Sequence, residues 1–411
     1  MQALIRAGIA FVITLVVGGL LVFLIGRVAG DDGTQRADGS KTPSPTGQTP
    51  TDPPTTPPLP TWLMWIPGGL PDGVGPSITA VPLIRSATTA TADIAWLSRS
   101  LDASGLVIDD PSDPYLIPLD VTGVEPSFSA FVPDAARSAI DGLQPGEGLL
   151  SETAAALRDV GEGATLEFDT GATVTVTGVL PDETMGGYEL LTLRGTAEDV
   201  GVTHERYVLF RVRPGANPDP LSLAAQLLPY LPADAPVYAV EVRSPEKVTY
   251  RRANDRELPL ALLKRRFGEF AGQLDPQTGE LTVDPEWIQD HIVDETLPVL
   301  GSVSCHRKVL VDLENAVTML EADDTASLIT DVGDCYDPSA VVDDPSGVLS
   351  ARDFGAAIDL NLAGNDPGEV PTQPEGVIKT MMKNGFGWGG KDAWPQGALF
   401  RSRRLPPPIE V

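Results

Sequence analysis

The stretch LSARDFGAAIDLN, residues 349–361, decides how the C-terminal part of this 411-residue chain is read. It sits in an ordered series of segments. DPEWIQDHIVDETLPVLGSVSCHRKVLVDLENAVTML (284–320) leads into a helix, because Val309, Leu310, Leu313, Val317 and Leu320 recur at helical spacing. GDCYDP (333–338) follows, then the opening stretch, then EGVIKTMMKNG (375–385) and NGFGWGGKDAWPQGALFRS (384–402). EGVIKTMMKNG is expected to be a helix ending at Asn384-Gly385, with Met381 and Met382 as core fillers. Gly387, Gly389 and Gly390 are expected to serve a tight turn.

The order and spacing of these segments resemble the VanY-like D-alanyl-D-alanine carboxypeptidase family, of the type carrying a paired cysteine. In that family a Ser-x-His-x-x-Gly-x-Ala-x-Asp segment supplies a His and an Asp to zinc. A terminal segment of the form Trp-Gly-Gly, then Asp-Gly-Met-His-Phe-Glu, supplies the second His and the acidic general base. Ser350, Gly355, Ala357 and Asp359 match the first pattern, and Trp388, Gly389, Gly390, Gly397 and Phe400 match the second. The functional positions depart from it: Arg352 stands at the first His, Leu399 at the second and Gln396 at the base. Ser339 stands where the family carries an arginine for the substrate carboxylate, so Asp359 is the one retained ligand position. Trp388 is the candidate for stacking on a ligand in the cleft.

The chemistry of these substitutions is severe. Catalytic zinc takes three protein ligands with free lone pairs and leaves a place for water. Arg352 has no such lone pair and stays protonated, so it repels a dication. Leu399 offers no donor, and Gln396 cannot take a proton as a general base must. The chain has three histidines, His204, His291 and His306, none of them in either motif; His306 is read as satisfying local backbone groups. A carboxylate left without its metal is costly unless paired, so Arg352 is expected to bind Asp359. The expectation is no catalytic residue and no cofactor, with zinc required by the alternative of a working D,D- or L,D-carboxypeptidase.

Upstream, residues 77–250 mix strands and helices. ATLEFDTGATVTVTGVL (164–180) alternates apolar and polar residues about Asp169-Thr170-Gly171 and is expected to be a hairpin. SETAAALRDVG (151–161) is expected to be a helix capped by Ser151 and stopping near Gly161. RYVLFRVRPG (206–215), DPLSLAAQLLPYL (219–231) and PVYAVEVRS (236–244) predict a strand, a short helix and a strand. The stretches at 146–182 and 208–229 resemble the periplasmic core domains of MacB-like and FtsX-like ABC permeases, which implies a binding or transmission module. A generic α+β spacer domain is the alternative.

At the other end, residues 7–26 form an uncharged apolar run between Arg6 and Arg27. Its length matches a hydrocarbon core of roughly 30 Å at about 1.5 Å per residue, so residues 1–30 are read as a membrane anchor. A cleaved signal peptide is the alternative. Residues 31–76 are rich in Thr, Pro and Gly, with Pro43, Pro45, Pro50, Pro53, Pro54, Pro57, Pro58 and Pro60, and are read as a stiffened, disordered spacer. WLMWIP (62–67) closes the spacer, with its aromatics expected to pack on the following domain.

The net charge of −28, from 29 Lys+Arg against 57 Asp+Glu, argues against nucleic acid as a partner. The two cysteines, Cys305 and Cys335, are expected to form a disulfide in an extracytoplasmic setting; two unrelated buried thiols are the alternative. The fold class is therefore α+β: an anchor, a spacer, an α+β middle domain and, at 251–411, a zinc-peptidase-like α+β domain. The expected setting is the cell membrane, single-pass, with the C-terminal part outside and peptidoglycan or a cell-envelope protein as partner. The function expected is a non-catalytic binding module; the middle domain as the binding part is a further alternative.

Overall fold

The computed structural model describes residues 61–65, 69–71, 73–216, 218–230, 240–243, 258–275, 278–338, 349–392 and 395–406. Among them no helix is long and apolar enough to cross a membrane. The apolar run at 7–26 and the proline-rich residues up to 60 lie outside the described residues.

A ten-stranded sheet dominates the first half. Its strands are β1 (Thr61–Trp65), β2 (Ile84–Leu101), β3 (Val107–Asp109), β4 (Ile117–Val124), β5 (Glu147–Ser151), β6 (Thr165–Phe168), β7 (Thr173–Leu180), β8 (Leu190–Leu193), β9 (Glu205–Val212) and β10 (Val240–Arg243). They lie in the order β10-β1-β9-β2-β4-β8-β5-β7-β6, with β3 beside β2. The pairings are antiparallel except β4 with β8 and β5 with β7.

β1 begins inside the stretch assigned to the spacer. Five residues of high strand propensity, Thr-Trp-Leu-Met-Trp, pair between β9 and β10. Both faces are buried: Trp62 and Met64 enter one apolar cluster with Val208 and Phe210, while Leu63 and Trp65 enter another with Tyr207 and Leu209. The alternation of a strand thus serves two cores at once. A short helix, Val74–Ile78, also begins within the residues assigned to the spacer, so the ordered chain starts earlier than its proline content suggests.

The 18-residue β2 organises the rest. Its first part pairs with β9, its middle with β4 and its end with β6. Strands β2, β4, β8, β5, β7 and β6 therefore close on themselves. All six contribute to one cluster, including Leu97, Leu119, Leu150, Leu166, Val174 and Leu190. The expected hairpin is β6 and β7, with Gly171 at φ 83 in its turn. The expected helix is Glu152–Arg158: the Ser151 hydroxyl accepts from Ala154 N at 3.1 Å, and Asp159 ends it in the left-handed region.

The C-terminal half has its own core. Helix Leu260–Phe267 is followed by the hairpin β11 (Gly272–Leu274) and β12 (Leu281–Val283), then by helix Pro285–His291. The hairpin β13 (Ile292–Leu297) and β14 (Gly301–His306) feeds helix Arg307–Ala322. Val309, Leu313, Val317 and Leu320 are buried on that helix, as their spacing required. A three-stranded antiparallel sheet completes the half: β15 (Ala357–Asp359), β16 (Phe386–Trp388) and β17 (Leu399–Ser402), with β17 central. Helix Glu375–Lys383 ends at Asn384, and Gly385 takes φ 92.

Met381 is buried, but Met382 is 49% exposed, because neighbouring residues on a helix point some 100° apart and only one of the pair can face the core. Gly387 lies within β16, so of the three glycines only Gly389 and Gly390 enter the turn Gly389–Lys391. Cys305 and Cys335 form a disulfide.

Candidate functional site

The opening stretch folds into a tight turn and a strand. Ser350 N donates to the Asp353 carboxylate at 2.6 Å and Arg352 N to the Ser350 hydroxyl at 3.2 Å, which closes the turn Arg352–Phe354. Gly355 follows at φ 63, and its carbonyl accepts from His306 N at 2.9 Å. A side chain there would meet His306 N at 2.8 Å, so glycine is required on both counts. The disulfide abuts this corner, with Cys335 Sγ 3.4 Å from Gly355 O.

From the turn the chain enters β15, whose register against β17 places Asp359 directly opposite Leu399. Gln396 is held just before β17: its N–H donates to Gly389 O at 3.1 Å and its carbonyl accepts from Leu399 N at 3.2 Å. A side chain at Gly389 would lie 2.8 Å from that Gln396 carbonyl. The glycines at 355 and 389 therefore permit the close backbone approach that shapes the site.

Arg352, Asp359, Gln396 and Leu399 meet around one cavity of about 70 Å³. Arg352 Nη2 donates to both oxygens of Asp359, at 2.7 and 2.8 Å. The side chains are 21% and 11% exposed, so the pair is largely withdrawn from water. Arg352 Nε is buried and has no partner among the described residues. Asn365 and Asp366, on the loop before helix Glu375–Lys383, complete the polar wall. That loop is pinned by Asn365, which donates to Asn361 O at 2.7 Å and accepts from Thr372 N at 2.8 Å. Sequence reasoning missed both residues, although the turn-forming run Asn365-Asp366-Pro367-Gly368 was there to be seen.

Zinc does not fit this set of donors. Asp359, the one position where the resemblance leaves a possible ligand, is engaged through both oxygens by a permanent cation. Leu399, which has no donor atom, and Gln396, whose amide cannot take a proton as a base, also line the cavity. Among the described residues no group of three or more His, Cys, Asp or Glu side chains is placed to hold a metal ion.

Other candidates go elsewhere. Trp388 does not line the cavity: its Nε1 donates to Gly397 O at 2.7 Å and its ring packs on the C-terminal core. Ser339 lies outside the described residues. His306 is fully buried and structural, its Nδ1 accepting from Lys308 N at 3.0 Å and its Nε2 lying 2.8 Å from Phe267 O. These contacts set the proton on Nε2. Burial, only partly offset by the bond to Phe267, lowers its pKa to about 4.

No protein-family model matches the chain, and no curated protein matches it in sequence. Among solved structures, the periplasmic region of MacB from Actinobacillus actinomycetemcomitans matches at 12% identity and a TM-score of 0.28, over 40% of this chain and 80% of that one. The extracellular domain of the noncanonic ABC-type transporter YknZ from Gram-positive bacteria matches at 11% identity and a TM-score of 0.27, over 45% of this chain and 100% of that one. Superpositions of this quality do not define a shared fold.

Proposed function

We propose that the chain is a membrane-anchored, extracytoplasmic protein whose C-terminal half is a degenerate D-alanyl-D-alanine carboxypeptidase-like module. In this reading it binds peptidoglycan or a cell-envelope protein without cleaving it. One observation carries the reading: four positions spread over residues 352 to 399, picked out by their place in the peptidase pattern, surround a single cavity in which Arg352 chelates Asp359. A guanidinium supplies the positive charge that a metal would supply, and it does so without a site for an activated water.

The test uses the purified, untagged protein on purified cell wall, with zinc content and D-alanine release measured on the same sample. Retention on the wall, substoichiometric zinc and no D-alanine are expected. Ala398 is 7% exposed and lines the cavity, so Ala398→Trp should fill it and abolish retention. Stoichiometric zinc with D-alanine release would make the protein a working carboxypeptidase. Retention unchanged in Ala398→Trp would move the binding surface away from the cavity, to the sheet half.

A further inference from the structure

Helix Leu260–Phe267 stands where the two halves meet, and it carries a fully buried lysine. Lys264 Nζ donates to Pro118 O and to both oxygens of Glu189, at 2.9 and 3.0 Å, and lies 2.9 Å from Glu269 Oε1. Arg158, equally buried at the end of helix Glu152–Arg158, donates to the same Glu269 oxygen at 2.6 Å. It also sits 3.9 Å from Glu189 and from Asp109. Glu189 in turn accepts from Asp120 N at 3.0 Å.

The ownership of these charges matters. Arg158, Glu189 and Asp109 belong to the sheet half, whereas Lys264 and Glu269 belong to the C-terminal half. Lys264 and Glu269 pair within the C-terminal half, and Arg158 lies 3.9 Å from Glu189 and Asp109 within the sheet half. Yet the hydrogen bonds of Arg158 and Glu189 to an opposite charge cross between the halves. Without the C-terminal half, Arg158 loses its one hydrogen-bonded carboxylate; without the sheet, Lys264 loses Glu189 and Pro118. Removing one partner of a buried pair is far more damaging than the net worth of the pair, because the other charge stays stranded in a medium that cannot solvate it.

Apolar and backbone contacts run across the same joint. Leu116 and Gly272 exchange backbone hydrogen bonds at 2.9 and 2.8 Å. Ile94 and Trp96 of β2 pack on the C-terminal core, and Ala271 packs on the core of the closed strands. The helix that holds Lys264 also holds Phe267, whose ring lies 6.5 Å from Phe354 in the Arg352 turn.

We infer that the sheet half and the C-terminal half are a single cooperative folding unit, locked by the buried chain Arg158–Glu269–Lys264–Glu189, so that the Arg352 cavity exists only while the sheet is folded. The boundary near residue 250 separates two sequence patterns but not two stabilities.

Native-state hydrogen exchange with mass-spectrometric readout, on the full chain in increasing urea, tests this. The slowest amides of β4 and β8 and those of helix Arg307–Ala322 should converge on one unfolding transition. Lys264→Met should lower the protection of both by the same factor, roughly 100-fold or more. Adding Glu189→Gln, which neutralises the carboxylate that Lys264 hydrogen-bonds and leaves Arg158 its bond to Glu269, should restore part of it. The inference is overturned if helix Arg307–Ala322 exchanges through its own transition while β4 and β8 stay protected. It is equally overturned if Lys264→Met weakens one half alone or neither, or if the double variant Lys264→Met/Glu189→Gln is no better than the single one. Should Lys264→Met fail to fold, the wild-type transitions decide by themselves.

Discussion

At the scale of residues, the informative event is a charge exchange. The Asp359 carboxylate is neutralised by Arg352, through two short bonds from one nitrogen, and in the proposed reading the guanidinium stands where a metal would. Asp359→Ala should therefore leave a largely buried guanidinium without its partner and cost about 2 kcal/mol, less than a fully buried pair because some exposure remains. Urea unfolding of the variant measures it, and unchanged stability would remove the pair from the account. This contact was legible in the sequence, since the peptidase resemblance puts an arginine and an acid at two positions of one site, where the acid needs a cation. Asn365 and Asp366 were not legible, because their place in the cavity depends on a loop crossing that no local pattern encodes. Met382 shows the same limit: two adjacent methionines look alike until a neighbour decides which of them is covered.

At the scale of elements, the site rests on the entry into helix Arg307–Ala322. His306 caps that helix as a neutral imidazole, and burial lowers its pKa from 6.5 to about 4. The unfolded chain takes up a proton on this ring below pH 6.5, while the folded chain resists until about pH 4. The stability that the neutral ring contributes is thus full above pH 6.5 and is lost as the pH falls toward 4, on the order of 3 kcal/mol. His306→Asn keeps a capping side chain and removes the titration. Melting temperatures measured from pH 7 to pH 4 should fall more steeply for the wild type than for this variant; parallel curves would contradict the assignment. The helix and the hairpin β6–β7 were legible because periodicity and turn residues are local, and the disulfide because the chain has just two cysteines. The closure of β2 onto both β4 and β6 was not, because it is made by partners far apart in the chain and by the length of one strand.

At the scale of the whole molecule, an acidic composition is combined, among the described residues, with four apolar clusters and the small cavity at Arg352. The net charge of −28 keeps polyanions away, so whatever binds must do so by shape, hydrogen bonding or complementary positive charge. The stretch at 62–65 illustrates how composition misleads at this scale: prolines up to residue 60 suggested a spacer, yet the next five residues are the second strand from the sheet edge. The central claim is that the cavity is a metal site rebuilt as an ion pair, and it is most directly tested by rebuilding it. Zinc binding should be measured by calorimetric titration and metal analysis on the untagged Arg352→His/Leu399→His variant beside the wild type, with melting curves showing that both are folded. The account predicts stoichiometric zinc in the variant, held with Asp359, and none above background in the wild type. A folded variant that takes up no zinc, or a wild type that binds it as tightly, would contradict it.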